Sequence, residues 1–459
     1  MAKSAALPAI ALALAFCLCA ELTILGIDKF YYIQAGGAKF ATFPHLAAQL
    51  RIGGLYSLLQ LMYFGWLWQV PKMRWVTSWN DCLRQSAPFI LLGFLAYPLG
   101  NDGYLYLHSG LMNLAGVNPF ITPAAAFVSR LSPFVDWGQT STYGPVSQLL
   151  FSMAAIAVPI HPLLGIYLFK GLCVGLHLLN GYLVWQLHDS EEHKWWAIAY
   201  LVNPLLLMEQ VGSGHVDVLI SSSFLLLASL LRSQHYALVF VVVWAGFLAK
   251  TLPILWLPLV MVFLIRQRCW SQCLVGLGLS CLLLADLALT VLPTLEAWRS
   301  LLNPGVVGQS RASLHELIQF SVDVIQGVMA HPLSLAEERS LLERVSQYLT
   351  GSYLLIYIWF LLHSLMQPTY KLPHLLSDIG WVTLILFLGA TPWVMPWYAS
   401  GMIAIAIVSP CDRLRRASFA YSFTSALQYL LQGFPGLNSL IVIGVPVLVL
   451  LLRPRPSTA

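Results

Sequence analysis

The chain has 459 residues, of which 58% are hydrophobic and 9% charged, with a formal net charge of +5 at neutral pH. Its mean hydropathy of +0.75 excludes a soluble globular protein and selects a polytopic membrane protein. Long continuous apolar runs, rather than apolar–polar alternation, choose helices over a barrel.

In chain order, apolar windows place candidate spans at roughly 5–26, 53–70, 84–100, 162–187, 195–210, 216–232, 235–249, 251–265, 270–292, 351–366, 373–390, 397–411, 417–432 and 438–452. Several are short, so about 11–14 crossings are expected of this all-α polytopic fold. The first run follows a single Lys3 and reads either as a signal peptide or as an uncleaved anchor. Lys and Arg orient the rest. With Lys72, Arg74 and Arg84 in the cytoplasm, Arg232, Arg266, Arg268, Lys371, Arg413, Arg415, Arg416, Arg453 and Arg455 fall on the same side. The parity closes if 146–160 does not cross; at about 15 residues it is shorter than the roughly 20 a span needs. That run is expected to lie at the outer interface.

Interruptions between spans reach only about 40–60 residues, so 1–459 reads as a single transmembrane domain. Its outer-loop segments are 101–161 and 293–350. The eight cysteines all fall in spans or inner loops, which argues against a disulfide framework. Cys269 and Cys273 are too isolated to hold a metal, and no metal site is expected.

Polar chemistry collects on the outer face. "NDGYLYLHSGLMNLAGVNPF" (101–120) begins the first large outer loop. As a helix over 103–114 it carries Leu107, Leu111 and Leu114 on one stripe and Asp102, Tyr106, Ser109 and Asn113 on another. Such a helix lies flat on the membrane, apolar side down, with interfacial helices around it. Gly116 caps it and Pro119 stops it. Asp102 then stands just outside a span, either as a reactive carboxylate or only as a helix start. Asp136–Gln148, Asn203–Leu219, Lys250, Arg299, Arg311 and Thr391–Ser400 share that face. Lys250 interrupts an apolar stretch, where an ammonium costs about 2.5–3.5 kcal/mol at a helix centre, unless it snorkels to headgroups. His215 and Asp217 follow a Gly-Ser-Gly turn; Asp217 is either functional or a dipole-complementing helix start. Trp393, Trp397 and Tyr398 read as an aromatic belt or as a platform for a sugar. Asp286 and Lys170, deeper in spans, rank below these as interhelical contacts.

An acid, a lysine, a histidine and aromatic faces on one side of the bilayer suit an amphiphile with a polar, anionic head. Lys250 and Arg311 are placed to hold a phosphate. No G-x-x-x-x-G-K-[ST], no G-x-G-x-x-G after a strand and no D-x-D occurs, and no soluble domain is left to hold a nucleotide. A transferase at this face therefore needs a donor delivered through the membrane, and a polyprenyl-phosphate sugar meets that need.

The chain resembles the GT-C glycosyltransferases, in particular the bacterial polyprenol-phosphate-mannose-dependent alpha-(1→6)-mannopyranosyltransferases. The likeness rests on Asp102 followed by Gly116, Asn118, Pro119 and Phe120, and on Tyr143–Pro145. It continues through Asn203, Glu209, Gly212, His215 and Asp217, then Lys250 ahead of Pro253, and Pro396–Tyr398. The resemblance implies an inverting hexose transfer, mannose being the expected sugar, to a glycan or glycolipid on the extracytoplasmic face of the plasma membrane. Asp102 matches the family's outer-loop acid and is the expected general base. Lys250, His215 and Arg311 are expected at the donor phosphate. Tyr104, Tyr106, Tyr143, Glu209, Asp217, Trp397 and Tyr398 are expected at the substrates. A divalent cation, Mg or Mn, sometimes assists in such proteins; here the lone Asp102, without a D-x-D or E-x-D, speaks against a tightly held one. Val216 stands where the family usually has Asn, and the stretch beyond Ser400 carries no usable motif. A transporter or flippase of lipid-linked sugars and a lipid-linked glycan ligase are the alternatives.

Overall fold

The computed structural model describes residues 2–37, 46–69, 78–135, 137–190, 193–302, 309–328 and 333–452. Among these the chain is helical throughout, and the one extended pairing is a bridge between Arg311 and Trp393. Lys72, Arg74, Asp136, Arg453 and Arg455 lie outside the described residues.

The first helices are α1 (Ala2–Gln34), α2 (Leu46–Gln69), α3 (Trp79–Leu95), α4 (Asp102–Leu114), α5 (Pro145–Ala155) and α6 (Pro162–Leu187). Then come α7 (Trp195–Leu201), the single turn α8 (Pro204–Leu206) with a π turn at Leu207–Gly212, α9 (Asp217–Arg232) and α10 (Tyr236–Phe247). The chain continues through α11 (Trp256–Arg266), α12 (Trp270–Thr290), α13 (Leu295–Leu302) and α14 (Leu314–Gln326). It closes with α15 (Leu335–Met366), α16 (Leu372–Ile385) with a second π turn at Leu386–Ala390, α17 (Ala399–Val408), α18 (Asp412–Leu431) and α19 (Pro435–Leu451).

The sequence supplies the boundaries. Ser78 accepts from the Asp81 amide at 3.2 Å, Asn203 takes the Leu205 and Leu206 amides ahead of Pro204, and Ser334 forms a capping box with Glu337. α4 ends as expected at Gly116, whose φ is +74. There the Val117 amide returns to Met112 and the Gly116 amide to Asn113.

Among the described residues five helices are long and apolar enough to cross a membrane: Leu7–Gln34, α6, α12, α15 and Leu372–Ala390. Trp195–Gly212 and Asp217–Arg232 together make a sixth, bent by 120°. The other runs read as spans are shorter, less apolar or interrupted. α10 and the helical stretch Leu252–Arg266, for instance, are separated by a break at Lys250 and Thr251. The polar segment expected over 293–350 runs into α15, which begins at Leu335 and carries its acidic and basic residues into a 32-residue helix.

α9 and α17 form the buried centre, with apolar or small side chains on every face. α4 is largely covered by protein: Tyr104, Tyr106, Leu107, His108, Ser109 and Met112 are all buried, and of the expected apolar stripe only Leu114 is exposed. It is held so by α5 and α6. A Cβ on Gly110 would fall 2.4 Å from the Phe151 carbonyl, so the two backbones touch there. α5 has 11 residues, short of a crossing, and turns Leu149, Met153 and Ile156 outward.

Candidate active site

Three chain breaks converge. α3 ends at Ala96, and the Tyr97–Asn101 loop delivers Asp102 as the first residue of α4. The π turn ends at Gly212, and Ser213–Val216 carries His215 across the bend to Asp217. α10 ends at Phe247 and leaves Lys250 in the break before Pro253. A fourth segment, Thr391–Tyr398, brings Trp397 and Tyr398 over them.

Lys250 does not snorkel. Its ammonium donates to both oxygens of Asp217 at 2.9 Å each and sits 4.4 Å from the Tyr398 ring centroid. The two side chains are 18% and 6% exposed, so this is a nearly dry ion pair. His215 is enclosed differently. Its ring stacks on Trp397 at 3.9 Å, Nδ1 faces Asp102 at 3.7 Å, and Nε2 faces Glu209 at 3.4 Å. The Tyr106 hydroxyl lies 3.4 Å from the same Nδ1 and donates to the Tyr143 hydroxyl at 3.3 Å. Glu209 is fully buried and accepts a 2.9 Å bond from Tyr429 on α18.

Asp102 stands apart in being open, with 36% of its side chain accessible. It is the first residue of α4; the N-cap position belongs to Asn101, whose side chain makes no capping bond. Surrounding protein desolvates its carboxyl and pushes it up to about 6, with Asp217 adding to the rise and Lys250 opposing it. That range suits a base working near neutral pH.

The structure brings together Asp102, His215, Glu209, Asp217, Lys250, Tyr106, Tyr143, Trp397 and Tyr398. Tyr104 belongs to another cluster: it bonds the Tyr97 hydroxyl and stacks on Phe134 at 4.5 Å. Arg311 touches none of these groups directly; it is bridged by backbone bonds to Pro392 and Val394, with its guanidinium 5.8 Å from the Trp393 ring. It makes no ion pair among the described residues, and its charge reaches the Tyr429 hydroxyl. Asp286 is exposed on α12, away from these groups. Tyr429 had no marker in the sequence; the one available hint was a Gln-Tyr pair in a helix that also carries Ser418, Ser422 and Ser425.

A divalent cation does not fit this arrangement. Among the described residues no three His, Cys, Asp or Glu side chains group as ligands. Asp217 is already neutralised by Lys250, and the His215 ring separates Asp102 from Glu209. A cavity of about 480 Å³ opens elsewhere, between α1, α2, α3 and the first π turn. Its walls are mostly apolar and include Arg84, Gln85 and Met208, the neighbour of Glu209.

No curated protein matches the chain. The family model for the alpha-(1→6)-mannopyranosyltransferase N-terminal domain matches residues 33–266, just over half of the chain and the part that holds Asp102, Glu209, His215, Asp217 and Lys250. The chain belongs to this mannosyltransferase family and is a multi-pass membrane glycosyltransferase.

Proposed function

We propose that the protein is a GT-C-type enzyme that moves mannose from a polyprenyl-phosphate donor to a glycan or glycolipid at the extracytoplasmic face of the plasma membrane. The observation that carries this reading is the pairing of a partly open carboxylate, Asp102, with a buried imidazole whose far nitrogen meets a second carboxylate. Asp102 takes the proton of an acceptor hydroxyl as that oxygen bonds to the anomeric carbon. The bond from that carbon to the phosphate oxygen breaks, the lipid phosphate leaves with the electron pair, and the anomeric centre inverts. His215, held between Asp102, Glu209 and Trp397, orients the base; its nitrogens are engaged there rather than free for a phosphate. Lys250 and Arg311 supply the positive potential for the departing phosphate, and Arg311 is the one without an anionic partner among the described residues. Trp397 and Tyr143 offer faces for a sugar ring. The apolar cavity behind Met208 supports a lipid donor.

A span broken by 120° between Gly212 and Asp217 is also the kind of discontinuous helix on which secondary transporters build substrate sites, which favours a transporter of lipid-linked sugars as the second reading. One experiment separates the two readings. Purified protein receives radiolabelled polyprenyl-phosphate mannose and a lipid and glycan extract, with Asp102→Asn alongside. Label in a new product with wild type alone is expected. Lipid crossing a liposome without transfer would move the assignment to a transporter.

A further inference from the structure

Both arms that carry Asp102 and His215 meet at one side chain. Lys170, on α6, is 1% exposed, and among the described residues it forms no ion pair. Its ammonium donates instead to main-chain carbonyls, to Phe94 at 2.6 Å and to Ala96. These are the last carbonyls of α3, which have no partner within the helix, and the positive charge complements that helix end. Tyr167, one turn earlier, takes the carbonyl between them, Leu95, at 3.0 Å. The ammonium lies 4.8 Å from the Tyr167 ring and 5.7 Å from Phe94. Ala96 is six positions ahead of Asp102, so this grip fixes where the α4 arm starts.

The stem of the same lysine lies along the other arm. Gly214 has a φ of +69, and a Cβ there would come within 3.4 Å of Lys170 Cγ and 3.3 Å of Phe169. The positive φ favours glycine here, and the Ser213–Val216 turn lies within van der Waals reach of the lysine stem. The two arms also touch directly, the Leu99 amide donating to Ser213 Oγ at 3.4 Å. A methionine or leucine would fill the same volume without the cost of burying a charge in a span. What the lysine adds is a common reference for two chain segments far apart in sequence.

We propose that Lys170 is a positioning residue for the transfer reaction: its ammonium grips the end of α3 while its stem lies on the Ser213–Val216 turn, and together they set the separation of Asp102 from His215. The proposal rests on the reading of Asp102 as the base, and its test is chosen to fail independently of that reading.

The test follows the Asp102 carboxyl by infrared difference titration of the full-length protein in detergent, with Asp102→Asn as the subtraction control. Lys170→Met, Lys170→Gln and Tyr167→Phe are compared with wild type. The groups facing Asp102, namely His215, Tyr106, Tyr143, Lys250, Asp217, Glu209 and Tyr398, are unchanged in all of them. In Lys170→Met the loosened arm admits water, and the titration is expected to fall by about half a unit or more. Turnover should drop about tenfold or more with the KM for donor within about threefold, as expected for lost alignment. Lys170→Gln, which keeps N–H donors, should fall in between. A role in folding alone would reduce the yield of protein without moving the titration of the molecules that fold. An Asp102 titration in Lys170→Met that overlays wild type overturns the proposal. If that variant does not fold, wild-type titrations in both Lys170→Gln and Tyr167→Phe overturn it equally. A moved titration with unaltered turnover keeps the clamp and removes Asp102 as the base.

Discussion

The site contains two partnerships of a carboxylate with a nitrogen group, built to opposite standards. Asp217 and Lys250 meet at 2.9 Å through both oxygens, nearly dry, with an aromatic ring behind the ammonium. Asp102 and His215 stand 3.7 Å apart, beyond a good hydrogen bond, and the acid is partly open. A closed pair has already spent its charges on each other and holds two chain breaks together. An open pair keeps a lone pair aimed outward and can change protonation without unfolding anything. On the proposed function, tightness of contact marks the frame here, and looseness marks the reacting end.

The largest expected effect falls on the open pair. Asp102→Asn should fold normally and lose about 10²–10⁴ in turnover, the range for a missing general base. Turnover within about tenfold of wild type in the radiolabel assay would remove the distinction. The closed pair should respond in stability. Lys250→Met leaves a buried carboxylate alone and should cost about 3–5 kcal/mol, whereas Lys250→Met with Asp217→Leu should recover much of it. Thermal unfolding in detergent checks this, and a double variant no more stable than the single one would show that the two do not act as a pair. Donor titration of the single Lys250→Met variant should show weaker use of the lipid phosphate, because the Asp217 carboxylate is then left without its counter-charge.

Replacing His215 by Phe keeps the stack on Trp397 but removes both nitrogens, and should lower turnover by about 10–100-fold, below the effect of losing the base itself. The pH profile sharpens the comparison further. With the Asp102 carboxyl raised to about 6, the active form is the ionised one, so the rate should rise as pH increases through that value and level off above it. A limb near the ordinary carboxylate range would place Asp102 in open water. The smallest effect belongs to Tyr429→Phe. It strips the bond to Glu209 and should cost about 1–3 kcal/mol in stability with a few-fold change in rate.

The charged members of the site were legible because a charge in an apolar run is expensive enough to demand a reason. Asp102, His215, Asp217 and Lys250 announce themselves that way, and the spacing of Gly116, Asn118 and Pro119 supports the family. Their partnerships were not legible. Lys250 faces Asp217 only because the chain breaks after α10 and bends by 120° at the Ser213–Val216 turn, and no local pattern measures such an angle. α4 shows the same limit: its stripe of leucines is real, but α5 and α6 bury its Leu107 end and leave Leu114 exposed. Tyr429 escaped notice because a tyrosine in a membrane helix is ordinary; only Glu209 opposite makes it specific. Lys170 was visible as a polar intruder, but its meaning depends on where α3 ends.

Both π turns, Leu207–Gly212 and Leu386–Ala390, stand immediately before the segments that carry the site. Each amounts to one residue more than a regular helix would use. A π turn absorbs that residue within a single wider turn, so the helix before it keeps its phase against its neighbours. The interrupted ladder marks the point where the backbone can leave the helix, at Ser213 in one case and at Thr391 in the other.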